Sequence, residues 1–200
     1  MGVDKATLKF NGHLLIEHAI GLLRQAGLPV LIAGDRPDLK KIAPVVGDLC
    51  SFRGPLGGIC GAWQVTSVPW AVFVSVDLPL LPAVLICAMQ EIAHVTGHAV
   101  VVPSVNGFAQ TFPAVLNRAT LPTLETELKA GRGGCFSAFQ AAAKALGQQV
   151  HIVPTEELVQ TGQLMHPDGL PVSQWFFNIN STAELERARG FRRGKDGKRG

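Results

Sequence analysis

Cysteine, charge and long apolar runs are all scarce in this 200-residue chain, and each scarcity closes off a class of function. The four cysteines, Cys50, Cys60, Cys87 and Cys135, are widely spaced. They form no Cys-x-x-Cys pair and no zinc-like cluster with histidine, so neither a zinc site nor a redox motif is expected. Three of them sit among apolar or small residues, where a free thiol acts as a small hydrophobe. A reducing, cytoplasmic setting is the natural expectation. No run reaches about eighteen apolar residues, which argues against a membrane span, and the start lacks the basic-then-apolar pattern of a secretory signal. Of the six histidines only His94 and His98 have ligand-like spacing, and no third ligand stands near them. All six read as surface or core residues. No Ser/His/Asp order suggests a nucleophilic triad.

Charged residues are 16% of the chain and hydrophobic ones 47%, a globular balance. The net charge of +3 is misleading. The segment Arg189 to Gly200 carries +5, which leaves the body about −2. The tail reads as a solvated end, and the body has no basic stripe of the kind nucleic-acid binders show.

What is present is an alternation of short apolar runs and helical periods. Helices are expected over 14–26, 37–43, 57–65, 82–95, 118–130, 136–146 and 182–189. Strands are expected over 28–33, 45–46, 70–76, 99–103, 112–116 and 150–153. The run Trp70 to Val76 is the clearest strand, with nearly continuous apolar residues as in a strand buried on both faces. Such alternation predicts an α/β fold with a mostly parallel sheet. Its ligands belong in the crevice beyond the carboxyl ends of the strands.

Four segments carry the chemistry. Asp77 ends the most apolar strand, just before Leu78-Pro79. A carboxylate there is either a magnesium ligand, since that ion takes carboxylate and phosphate oxygens, or the N-cap of the following helix. Arg53-Gly-Pro-Leu-Gly-Gly-Ile places glycines ahead of a helix. That arrangement is either a site where backbone N–H groups meet an anion or an ordinary turn. Lys5 is a phosphate counter-charge or a surface residue. Asn178 and Asn180, two apart after aromatics, are either amides gripping a polar ligand or part of a turn and cap before Thr182.

In this order the segments resemble the molybdenum cofactor guanylyltransferase family. Met1-Gly2-Val3-Asp4-Lys5-Ala6, then Leu8-Lys9-Phe10-Asn11-Gly12, is similar to the part of its opening motif that follows a Leu-Ala-Gly-Gly loop. Gly54-Pro55-Leu56-Gly57-Gly58 is similar to its Gly-Pro-Leu-Ala-Gly, Val76-Asp77-Leu78-Pro79 to its strand-end Asp-x-Pro, and Phe177-Asn178-Ile179-Asn180-Ser181 to its closing Phe-Asn-Ile-Asn-Thr-Pro. The resemblance covers nearly the whole chain. It implies a Rossmann-like, three-layer fold of the nucleotide-diphospho-sugar transferase type, with one nucleotidyltransferase domain over 1–190 and a basic, disordered tail over 191–200.

The resemblance also implies transfer of GMP from GTP to the phosphate of molybdopterin, with Mg²⁺ as cofactor. Lys5 and Asp77 would be catalytic, with Asp77 the metal ligand. Lys5, Asp48, Gly54, Pro55, Leu56, Gly57 and Asp77 would hold the nucleotide, and Asn178 and Asn180 the molybdopterin. Molybdoenzyme chaperones or cofactor-insertion proteins are further implied partners; a monomer, binding neither nucleic acid nor membrane, is expected. Related cytidylyltransferases, sugar-nucleotide transferases and an inactive nucleotide-binding homologue are the alternatives. Two features depart from the family. The Leu-Ala-Gly-Gly loop and the strand before it have no counterpart, so the expected natural start lies roughly fifteen to twenty residues upstream, about one strand and loop. Without them a central strand is missing and its neighbours expose unpaired edges. Ala33 stands where the family often carries asparagine.

Overall fold

The computed structural model describes residues 4–49, 54–131 and 134–193, with side chains to residue 191. Gly2, Val3, Cys50, Arg53 and the tail from 194 onward lie outside them. The chain opens with a 3-10 turn at Lys5–Thr7 and a hairpin of β1 (Lys9–Phe10) and β2 (His13–Leu14). Helix α1 (Leu15–Gln25) begins where the Glu17 carboxylate accepts the Leu14 backbone N–H at 2.7 Å. Strand β3 (Ile32–Ala33) pairs in parallel with β4 (Val45–Val46), and a 3-10 turn at Pro37–Lys41 joins them. Helix α2 (Pro55–Gln64) follows, with Pro55 in its first turn.

The second half holds the main sheet. Strand β5 (Trp70–Phe73) leads through a loop to α3 (Ala83–Thr96), which ends at Gly97 in the left-handed region. Then come β6 (Val100–Val105), β7 (Phe108–Ala109) and β8 (Ala114–Asn117). Helices α4 (Leu121–Ala130) and α5 (Cys135–Ala145), strand β9 (His151–Pro154), and helices α6 (Thr155–Gln160), α7 (Val172–Trp175) and α8 (Thr182–Arg193) complete the chain. Helix α8 runs through position 190. The α/β alternation is as expected, but the sheet is mixed. Strand β8 lies antiparallel between β5 and β6, while β9 is parallel to β6. Thus β5, β6 and β9 share one direction and β8 reverses it. The reversal is local: the β6–β7 hairpin turns the chain back, so β8 re-enters the sheet from the opposite end.

Two large apolar clusters cover the sheet. One gathers α3, α7 and α8 around Leu85, Met89, Trp175 and Ile179. The other gathers α2, α4 and α5 around Trp63, Leu124 and Phe139. A third, smaller cluster of Ala6, Ile16, Ile20, Ile32, Leu39 and Ala43 lies under β3. Helix α1 straddles two of them: Leu15 and Leu22 enter the first cluster, whereas Ile16 and Ile20 enter the third.

Candidate active site

Asp77 lies four residues beyond β5, in the loop before α3. It does not cap that helix, whose N-cap is Pro82. Its carboxylate is instead engaged by side chains from two other segments. Ser75 Oγ donates to Asp77 Oδ1 at 2.6 Å, and Lys5 Nζ donates to Asp77 Oδ2 at 3.4 Å. The same ammonium donates to Asn180 Oδ1. The Asp77 side chain keeps 16% of its exposure and that of Lys5 43%, so the group is open to solvent rather than buried. Backbone pairing fixes the far side. Ile179 N–H donates to the Asp77 carbonyl at 2.9 Å, with the Ile179 side chain fully buried. Residues 178–180 are thereby laid across the end of β5, leaving Asn178 and Asn180 exposed on either side of the anchor.

The turn-and-cap reading of the Asn178–Ser181 segment is seen directly. Ser181 Oγ accepts the Glu184 N–H at 3.2 Å, and Glu184 Oε2 accepts the Asn180 N–H at 2.7 Å, a capping arrangement for α8. The Asn180 N–H and the Ser181 hydroxyl, both donating to this carboxylate, hold the Glu184 carboxyl below the ordinary carboxylate range. Asn180 is thus fixed through its backbone, and its side chain is left to meet Lys5.

A second group lies beside β3 and β4. Gly54 adopts φ 64° as N-cap of α2, a conformation suited to glycine, and the first turn holds Pro55, which has no N–H, and Gly57, whose N–H donates to the Gly54 carbonyl at 3.1 Å. Gly57 and Gly58 are inside the helix rather than ahead of it. At Gly58 and Gly61 the next layer comes close to the helix backbone. A methyl group on Gly58 would lie 3.2 Å from Ala33 Cβ and 3.3 Å from Asp48 Oδ1, and one on Gly61 only 2.2 Å from the Gly47 carbonyl oxygen. Asp48 is therefore held against the first turn of α2. Burial, with Asp35 adding like charge, pushes its carboxyl above the ordinary value.

The loop after β3 joins the two groups. On it Asp35 faces Asp48, while Arg36 reaches Asp4 with two hydrogen bonds of 2.9 and 2.8 Å and Asp38 with two more. These carboxylates raise the Arg36 guanidinium further above its already high range. Asp4 in turn accepts the Ala6 N–H at 3.2 Å, which sets the turn carrying Lys5. The structure thus brings together Lys5, Asp77 and Asn180 on one side, and Asp48 with the Gly54–Gly58 turn on the other. Sequence reasoning passed over Ser75 and Arg36. Ser75 had a signal, as the polar interruption of an apolar strand two residues before Asp77. Arg36 had none, because its partner Asp4 is distant in sequence.

Among the described residues no group of three or more His, Cys, Asp or Glu side chains could enclose a metal. The His98 ring packs against that of His151, with centroids 4.8 Å apart and the planes tilted by 47°. Burial and the neighbouring His98 lower the His151 pKa. Cys60 is buried, and burial pushes the Cys135 thiol up to about 11, as expected of packing residues. No described helix is long and apolar enough to cross a membrane.

Comparison with known proteins gives the family and the fold. The family model described as the MobA-like NTP transferase domain matches residues 1–153. A molybdenum cofactor guanylyltransferase from Vibrio atlanticus is 29% identical over 177 residues, which cover 82% of this chain and 89% of that protein. One from Xanthomonas euvesicatoria is 45% identical over 91 residues, covering 43% of this chain and 44% of the relative. Molybdopterin-guanine dinucleotide biosynthesis protein A from Archaeoglobus fulgidus superposes with a TM-score of 0.73 at 18% identity, covering 94% of this chain and 90% of its own. The 2-C-methyl-D-erythritol 4-phosphate cytidylyltransferase of Thermus thermophilus gives 0.67 at 17% identity, covering 96% and 100%. At those identities the two structures establish the fold, that of nucleotidyltransferases of the nucleotide-diphospho-sugar transferase type.

Proposed function

The chain belongs to the MobA-like NTP transferase domain family, and on that premise we propose that it transfers GMP from GTP to the phosphate of molybdopterin. The observation that carries the proposal is the convergence of Lys5, Asp77 and Asn180 at the carboxyl end of β5. A new bond forms between an oxygen of the acceptor phosphate and the α-phosphorus of GTP, and the bond to pyrophosphate breaks. The acceptor supplies the nucleophile, so the protein needs no nucleophilic side chain. Its work is positioning and charge neutralisation.

The residues take the following roles. Lys5 offsets charge on the departing pyrophosphate. The glycine turn at Gly54–Gly58 lets the nucleotide approach the backbone closely, and Asp48, held against that turn, accepts donors from the nucleotide. Asn178 and Asn180 face the molybdopterin, and Ser75 holds the Asp77 carboxylate in place. Asp77 would hold Mg²⁺. Its Oδ2 and the Asn180 Oδ1 already converge on one cation, the Lys5 ammonium, and oxygen donors of this kind suit that ion when phosphate oxygens complete the shell. When bound, the ion would neutralise triphosphate charge.

The test compares GTP with CTP. Ligand binding to the folded state must raise the melting temperature. GTP with Mg²⁺ is expected to raise it and CTP not, with pyrophosphate released from GTP only when molybdopterin is present. Stabilisation by CTP alone would replace this proposal with a cytidylyltransferase. Absence of pyrophosphate release with every nucleotide would leave a binding protein.

A further inference from the structure

Phe108 is 73% exposed, although the segment that carries it is closely held. It begins β7, directly after the two-residue turn Asn106–Gly107. Both turn residues have positive φ, 51° and 76°, the conformation that fits a tight hairpin to the twist of its strands. Hydrogen bonds fix the hairpin on both sides of the turn. Asn106 N–H donates to Glu156 Oε1 at 2.6 Å, and Gln110 N–H donates to the Pro103 carbonyl at 2.8 Å. The Gln110 side-chain amide donates to the Phe108 carbonyl at 3.0 Å. An ordered backbone thus presents an aromatic ring to solvent.

The pairing register sets the face on which that ring lies. Val105 and Phe108 are cross-strand partners, and such partners share one face of a sheet. Val105 is buried in the cluster that also takes Ile179, whereas the next residue, Ala109, packs against the cluster on the opposite face. Phe108 is therefore on the face that carries residues 178–180. It shares their end of the sheet as well. Strands β5 and β6 run in one direction, so the hairpin that follows β6 and the loop with Asp77 that follows β5 emerge together. The Asp48 group lies elsewhere. Strand β8 takes one edge of β5, whereas β3 faces β5 across a cavity of about 1100 Å³ that both line.

We propose that Phe108 is a stacking platform for the fused heteroaromatic ring of the acceptor, and so helps to decide which acceptor is used. The inference rests on the proposed transfer to molybdopterin, whose pterin is a flat heterocycle with polar edges. An aromatic face is the complementary contact for such a ring, and it carries no charge that would compete with Lys5 or Asp77. The exposed amides of Asn178 and Asn180, on the same face and at the same end, suit the polar edges. Apolar contact with a few placed polar groups is the usual composition of a small-molecule site. The guanine base is the other flat ring in the reaction. It belongs with Asp48 and the Gly54–Gly58 turn, on the β3 side of β5, and so does not compete for Phe108.

The test is the kinetics of pyrophosphate release with GTP and molybdopterin, on the wild-type protein and on Phe108→Ala, Phe108→Leu and Phe108→Trp. The position is exposed, so all three variants should melt as the wild type does. The alanine and leucine variants are expected to raise the KM for molybdopterin about tenfold, within the range for a base stacked on an aromatic ring, with kcat and the KM for GTP unchanged. The tryptophan variant should keep the wild-type KM. Leucine retains apolar volume without a ring, so a leucine variant that behaves as wild type would overturn stacking. An unchanged KM in the alanine variant, or a rise in the KM for GTP instead, would overturn the proposal too. So would a wild-type dimer in sedimentation that Phe108→Ala converts to monomer, which would give the ring to a second copy. A wild-type protein that releases no pyrophosphate would sink the transfer reaction itself, and this role with it. Active wild type with unaltered variants would sink only the role of Phe108.

Discussion

The two sheet fragments are made from similar sequence and have reached different ends. From Trp70 to Pro154 the strands join into one five-stranded sheet, and helices cover it with two extensive clusters. From Leu28 to Val46 the apolar run 28–33 yields two residues of ladder against β4, and Ile32, Leu39 and Ala43 join Ala6, Ile16 and Ile20 in a small cluster. Apolar composition is common to both, so composition does not separate them. What separates them is the extent of the ladder: β3 and β4 share two residue pairs, whereas β5 and β8 share four and β6 is paired with both β8 and β9. The candidate site spans this difference: Asp77 follows β5 of the larger sheet, whereas Lys5 adjoins Ala6, which is buried in the small cluster under β3.

The largest effect should come from cutting the link between the fragments chemically while leaving it structurally intact. Asp77→Asn keeps the shape of the side chain and is expected to lower Mg²⁺-dependent pyrophosphate release by at least about 10²-fold, the scale of one preorganised electrostatic group. Its melting temperature should hardly move, because partly exposed ion pairs contribute little to stability. Retained turnover would detach Asp77 from the site.

Core truncations compare the fragments directly. Phe139→Ala, in the second cluster, is expected to destabilise the protein by about 3–5 kcal/mol. Ile32→Ala should fall at the low end of the range for such a change, about 2 kcal/mol, because it borders the cavity. Equal losses in denaturant titration would show the fragments to be equally consolidated. Gly61→Ala should cost about 1–3 kcal/mol, since the new methyl meets the Gly47 carbonyl oxygen, backbone that cannot swing aside. A neutral result would mean that the loop before α2 is held less closely than its contacts indicate.

The smallest effect is a pH dependence. The Asp48 carboxyl has a raised pKa, so the folded state holds its proton more tightly than the unfolded chain does. Its contribution to stability is therefore fully present below the ordinary value of 3.8 and is lost as pH rises through the folded value. Asp48→Asn should remove that slope and slightly raise the melting temperature at neutral pH, while weakening nucleotide binding. A thermal-melt series from pH 3 to pH 7 on both proteins, which shows no difference in slope, would place Asp48 in an unstrained setting.

Much of this was legible in the chain itself. Residues 15–25, 83–96 and 135–145 are helical within a residue or so of expectation, because their apolar spacing is strong and few alternatives bury it. The short elements were not legible: the β1–β2 hairpin, β7, α6 and α7 span two to six residues each, too few for a period to register. The strand over 70–76 was expected too long, because its apolar pattern reports burial and says nothing about whether a neighbour is present to pair with it.

The sequence alone determined which residues prefer strand or helix, where an acidic group closes an apolar run, and that glycines precede or enter a helix. Those properties are local, set by side-chain chemistry at neighbouring positions. Only the tertiary structure decided that Lys5 meets Asp77 and Asn180, that Arg36 fixes Asp4, and that β3 and β5 line one apolar cavity. Each of these joins positions far apart in the chain. Their energies depend on distances that folding creates and that no local pattern of residues encodes.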